Sequence, residues 1–170
     1  MEWNLLNIVA IGCLTAAVVA DLRTRKIQNI LSLTSLVLCT LAVIYVSSTQ
    51  STSHWTEPLK AFGLASVIAL SLFAMKVWGG GDAKMFIAVS PLLLFAETPI
   101  YLLCCLVWGS VLGLTSALLN ARMGAMISNL SVLLIHRKGV DQSHLVKVPF
   151  SVALLLGYLS LMTLRGLGAL

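Results

Sequence analysis

Val77-Trp78-Gly79-Gly80-Gly81-Asp82-Ala83-Lys84-Met85-Phe86 separates two strongly apolar runs, residues 61–77 and 85–96. If those runs lie in a bilayer, Asp82 is a carboxylate at the membrane edge, where an acid is costly to place and is a candidate functional group. The three glycines before it lack a Cβ, so the backbone there can turn sharply and another segment can approach closely. The same residue types also make an ordinary interhelical turn that carries a solvated acid. Taken alone, the stretch does not choose between a site and a turn.

Composition settles the solvent. Apolar residues make up 59% of the 170-residue chain and charged residues 10%, against about 45–50% and about 25% in soluble domains. An integral membrane protein follows, read as one domain over residues 1–170. Spans of about 20 residues each would use most of the chain in about six helices. The formal charge of +5 comes from scattered residues rather than a basic patch, so no nucleic-acid partner is implied; topogenic loop charge accounts for it. Cys13, Cys39, Cys104 and Cys105 all fall within apolar runs and form no CxxC, so neither a zinc site nor a disulfide framework is indicated. They read as small packing residues.

Further apolar runs cover residues 3–20, 30–46, 100–119 and 148–164. Val18 and Ala20 mimic a signal-peptidase site. However, Glu2 precedes the first run while Arg23, Arg25 and Lys26 follow it, which is the reverse of a secretory signal. The run is read as a retained helix with its amino end outside. Trp78 reads as an interfacial anchor, and the short run 85–96, with Pro91, as a kinked or sunken helix. Gly109 and Gly113 have the small-xxx-small spacing of close helix packing, and residues 125–135 read as an interfacial helix too short to span. Six spans with both ends outside collect Arg23, Arg25, Lys26, Lys76, Lys84, Arg122, Arg137, Lys138 and Lys147 on the cytoplasmic side. Only Lys60 and Arg165 remain outside, a nine-to-two bias. Asp21 and Asp82 then both sit at cytoplasmic helix ends.

Two carboxylates at one depth offer a defined chemistry. Brought close together they cannot both ionise easily, so the pair shares a proton. One can take a proton from water while the other donates to a carbonyl oxygen, which is general acid–base hydrolysis of a peptide bond. Asp21 taken by itself reads first as a charge that balances Arg23 or Arg25 at a helix end, since interfacial charges are common.

Gly79-Gly80-Gly81-Asp82-Ala83-Lys84 resembles the GxGD signature of intramembrane aspartic peptidases, in the GxGDxK form of type IV prepilin peptidases. Asp21-Leu22-Arg23-Thr24-Arg25-Lys26-Ile27-Gln28-Asn29 resembles the segment around that family's first catalytic aspartate, with Gln28 in place of the usual proline. Val148-Pro149-Phe150, opening the last span, is a third match in the family's order. The resemblance implies an all-α GxGD peptidase architecture in the inner membrane, with Asp21 and Asp82 as the catalytic pair and no metal or cofactor. Gly79 and Gly81 would shape the turn that presents Asp82, and Gly79, Gly80, Gly81 and Lys84 would border the substrate. The implied substrate is a prepilin or pseudopilin whose leader is cut at the cytoplasmic face. The paired CxxC region that accompanies N-methylation in longer members is missing, so methyltransferase activity is not expected; the short form resembles the Flp-type (tight-adherence) peptidases.

Other groups rank lower. His54, His136, His144, Asp141 and Glu97 read as solvated loop residues, and no Ser/His/Asp or Cys/His arrangement is placed for nucleophilic catalysis. The competing class is a small transporter or channel in which the two aspartates bind a cation or relay protons, although the internal repeats with matched broken helices that a transporter more often shows are not found. A silent scaffold packed through Gly109 and Gly113 is the third. The residues do not fix an oligomeric state.

Overall fold

A computed structural model describes residues 2–24, 27–49, 55–119 and 150–168. Arg25, Lys26, His54, the proposed interfacial helix 125–135, His136, His144, Asp141, Val148 and Pro149 lie outside the described residues. Those described form helices α1 (Glu2–Thr24), α2 (Asn29–Thr49), α3 (Thr56–Ala74), α4 (Gly80–Val89), α5 (Glu97–Leu119) and α6 (Phe150–Gly166), with a 3₁₀ turn at Ser90–Leu92 after α4. Four of them, α1, α2, α3 and α5, are long and apolar enough to cross a membrane, and α6 is a shorter apolar helix of 17 residues. The chain is an all-α polytopic membrane protein.

Apolar segments form helices because a helix pairs its own backbone N–H and C=O groups, and the few polar side chains on them are satisfied internally. Hydroxyls of Thr24, Thr40, Ser66, Ser71, Ser110 and Ser160 each donate to the carbonyl four residues back, at 2.7–2.9 Å. No group on such a residue is then left unpaired in hydrocarbon. Outward-facing side chains are apolar, including Leu33, Val37 and Leu41 on α2, Val67 and Leu70 on α3, and Leu103 and Val107 on α5. Inward, small residues allow close approach: Ala61, Ala65 and Ala69 are fully buried on α3. On α6, a Cβ at Gly157 would stand 2.6 Å from the Cys105 sulfur and 3.0 Å from its backbone nitrogen, so α5 and α6 meet almost backbone to backbone. Of the small-xxx-small pair, Gly109 lies beneath the Phe150 ring, whereas a Cβ at Gly113 would meet nothing within 4 Å. Cys13 on α1 and Cys39 on α2 are both buried in the core, as small packing residues should be.

Hydrogen bonds define the two ends of the bundle. At one end Arg165 Nε and Nη2 donate to the two carboxylate oxygens of Glu97, at 2.6 and 2.5 Å. There Asn7 Oδ1 accepts from Tyr158 at 2.9 Å and from Arg165 at 3.3 Å. At the other end Ser151 meets Asp21. Fourteen residues of helix separate Asn7 from Asp21, about 21 Å at 1.5 Å per residue. The segment from Asp82 to Glu97 therefore crosses from one end to the other, although α4 has only 10 residues and reaches about 15 Å. It crosses as a short helix, the 3₁₀ turn and an irregular stretch. Ser90, Pro91, Leu92 and Leu93 are buried against protein, where non-helical backbone is tolerated.

Glu97 corrects one expectation: it opens α5 at 4% exposure and is not a solvated loop charge. Removing one member of a buried pair typically costs about 3–5 kcal/mol. Glu97→Ala is expected to lower stability by about 3 kcal/mol, with a smaller loss in a Glu97→Leu, Arg165→Met double variant. Thermal unfolding of the detergent-solubilised protein measures both.

Candidate active site

The Asp82 motif is set up by the way α3 stops. Lys76 has φ +59°, the left-handed position usually given to glycine. Its N–H donates to the Phe73 carbonyl at 2.9 Å, and the Val77 N–H reaches the Leu72 carbonyl at 3.0 Å. That bond pair is a Schellman motif, and it aims the chain at Trp78. Trp78 is 6% exposed, with its ring centroid 5.3 Å from that of Phe86 and 5.2 Å from that of Phe150. It is a wedge inside the bundle and not the interfacial anchor expected from sequence. Aromatic contact continues from Phe86 to Tyr101, stacked at 5.2 Å, and on to Tyr158 at 5.9 Å.

The glycines do different work from the sharp turn expected of them. Gly79 caps α4 at φ −70° and ψ 149°, an ordinary extended conformation, and Gly80 and Gly81 are already helical. What they supply is space. A Cβ at Gly81 would stand 3.0 Å from Ile27 Cβ, and one at Gly80 would stand 3.3 Å from the Phe73 ring. At Gly79 the same atom would lie 3.0 Å from Asp82 Oδ2. The Asp82 carboxylate thus folds back over its own cap residue, while the segment that follows Asp21 seats Ile27 on Gly81.

Both aspartates come to one end of the bundle, from the last turn of α1 and the first turn of α4. Asp82 stands ahead of the apolar run 85–96. Burial pushes its carboxyl up from an ordinary 3.8 to about 6, and the nearby Asp21 charge adds to the effect. The positive end of α4 favours the anion, so burial and the second carboxylate outweigh it. Asp21 Oδ2 accepts a hydrogen bond from Ser151 Oγ at 2.7 Å, across from α6. Sequence reading did not find Ser151, because one serine in an apolar span carries no signal of its own.

Lys84 joins the two motif segments by a different route. Its Nζ donates to Asn29 Oδ1 at 2.8 Å, tying the start of α2 to the start of α4. At 100° per residue it stands about 160° around α4 from Asp82. An open cleft of about 420 Å³ lies on that side, lined by Asn29, Ser32, Leu33, Leu36, Lys84 and Ile87. Among the described residues no group of three or more His, Cys, Asp or Glu side chains is placed to hold a metal.

No curated protein and no solved structure matches the chain. The profile of the type IV leader peptidase family matches residues 8–117, which run from within α1 to near the end of α5 and include both aspartates but not Ser151. Covering well over half of the 170 residues, that match shows that the chain belongs to the type IV leader peptidase family.

Proposed function

We propose that the protein is an aspartic endopeptidase that removes the leader from Flp-type prepilin-like precursors at the cytoplasmic face of the inner membrane, using water activated between Asp21 and Asp82. One observation supports it above all: Asp82 is half-buried at the same end of the bundle as Asp21, whose nearby charge adds to the burial that raises the Asp82 carboxyl. A coupled pair with one reluctant acid is the arrangement that splits acid and base roles between two carboxyl groups. Arg23 in the last turn of α1, Lys76 just after α3 and Lys84 near the start of α4 are basic residues near the two aspartates, and they support the cytoplasmic assignment.

In this reading Asp21 takes a proton from water as the oxygen attacks the scissile carbonyl carbon, and protonated Asp82 gives its proton to the carbonyl oxygen. A neutral gem-diol results. Asp21 then passes its proton to the leaving nitrogen as the C–N bond breaks, and Asp82 recovers one from the diol. The pair ends as it began. Gly79, exposed beside the Asp82 carboxylate, is the place where an extended substrate backbone can reach the acid. Gly80 and Gly81 serve by admitting Phe73 and Ile27. A substrate helix must unwind locally there, because its carbonyls are otherwise hydrogen-bonded internally.

Asp21→Asn and Asp82→Asn are each expected to abolish leader cleavage, read as a mobility shift of a co-expressed prepilin, while the protein still reaches the membrane. Near wild-type processing by either variant contradicts the paired mechanism. The pH dependence follows from Asp82 as the acid: kcat/KM falls as pH rises through about 6. Stability carries the same signature. Between pH 3.8 and about 6 the folded chain keeps a proton that the unfolded chain has released, so stability falls as pH rises through that window. Melting curves over that range are expected to slope less in Asp82→Asn than in wild type.

A further inference from the structure

We propose that Ser151 is the positioning residue of Asp21: its hydroxyl, delivered by the first turn of α6, fixes the carboxylate so that one oxygen is occupied and the other is left to face water and Asp82. The inference rests on the peptidase reading given above and extends it to a residue in α6.

The geometry is that of a committed hydrogen bond. Ser151 Oγ lies 2.7 Å from Asp21 Oδ2, and Ser151 is 1% exposed. That distance is typical of a hydroxyl donating to a carboxylate. Ser66, Ser71, Ser110 and Ser160 spend their hydroxyl protons on carbonyls of their own helices. Ser151 directs its proton to another helix, 130 residues away in sequence. Ser151, in the first described turn of α6, is thereby committed to the last turn of α1.

The serine is held in place by its surroundings. The neighbouring Phe150 ring lies over Gly109, where a Cβ would come within 2.6 Å of it, and against Trp78 at 5.2 Å. Trp78 in turn precedes the glycines that carry Asp82. Farther along, Gly157 seats α6 on the backbone of Cys105, and Tyr101 donates to the Leu154 carbonyl at 3.1 Å. One rigid helix therefore touches Asp21 directly, through Ser151, and the Asp82 segment through Phe150 and Trp78. With Oδ2 of Asp21 engaged by a donor, the proton shared by the pair is directed away from that oxygen and toward Asp82. The base and the acid of the reaction are thereby told apart.

The test uses the full-length protein in liposomes with a Flp-type prepilin as probe, comparing wild type, Asp82→Asn, Ser151→Ala and Ser151→Thr. Ser151→Ala is expected to lower kcat by roughly 10- to 100-fold, the scale of a misoriented catalytic group, with KM changed less than about twofold. Ser151→Thr, which keeps the hydroxyl, is expected to recover most of kcat. An unchanged kcat in Ser151→Ala overturns the proposal, as does a loss matched by a lowered melting temperature or by a raised KM. If Ser151→Thr fails to fold, the division between kcat and KM in Ser151→Ala decides. A wild-type protein that leaves the prepilin intact, or an Asp82→Asn variant as active as wild type, contradicts the peptidase reading instead, so the two failures are distinguishable.

Discussion

The charge of Asp21 acts on a carboxyl group that burial has already made reluctant to ionise. Neither effect alone would give the proposed pair. Burial without a neighbour leaves a neutral acid, and a neighbour in water acts only weakly, by about 1 kcal/mol at 4 Å. Placed at one end of an apolar bundle, the two groups interact through a medium less polarisable than water. The remaining features at that end serve to keep them there. Ile27 closes on Gly81, Asp82 folds over Gly79, and Lys84 bridges to Asn29.

The opposite end explains how so short a helix as α4 can deliver Asp82. Its chain must still cross to Glu97, and it does so partly as irregular backbone among buried residues. The Glu97–Arg165 pair anchors that far end and draws in Asn7 and Tyr158. Such a pair adds little net stability by comparison with apolar packing. Its hydrogen bonds tie α1, α5 and α6 together at that end. Since α6 carries Ser151 at one end and Arg165 at the other, the anchor and the site share one rigid element.

Much of this was legible in the chain because charges stand out in an apolar sequence. Asp21 and Asp82 were visible on that ground, and loop charge gave them a common side. Glycine was harder to read. A missing Cβ marks either a special φ or a close contact, and the sequence cannot say which; here the positive φ fell on Lys76 and the contacts on Gly79, Gly80 and Gly81. Trp78 was misplaced because tryptophan suits a membrane interface and an aromatic core equally. Ser151 carries no mark in the sequence, and Glu97 reads there as a loop charge, for another reason. Their partners lie 130 and 68 residues away, and nothing local marks a serine or an acid as belonging to such a pair.

The coupling between the two carboxyl groups can be observed directly. Infrared difference spectra of wild type minus Asp82→Asn isolate the protonated carboxyl band of Asp82, which is expected to titrate near pH 6. Repeating the titration in an Asp21→Asn background removes the neighbouring charge and keeps the burial. The midpoint is then expected to move down while staying above 3.8, because burial is the larger cause. A midpoint unmoved by Asp21→Asn would show that the two aspartates do not act as a pair.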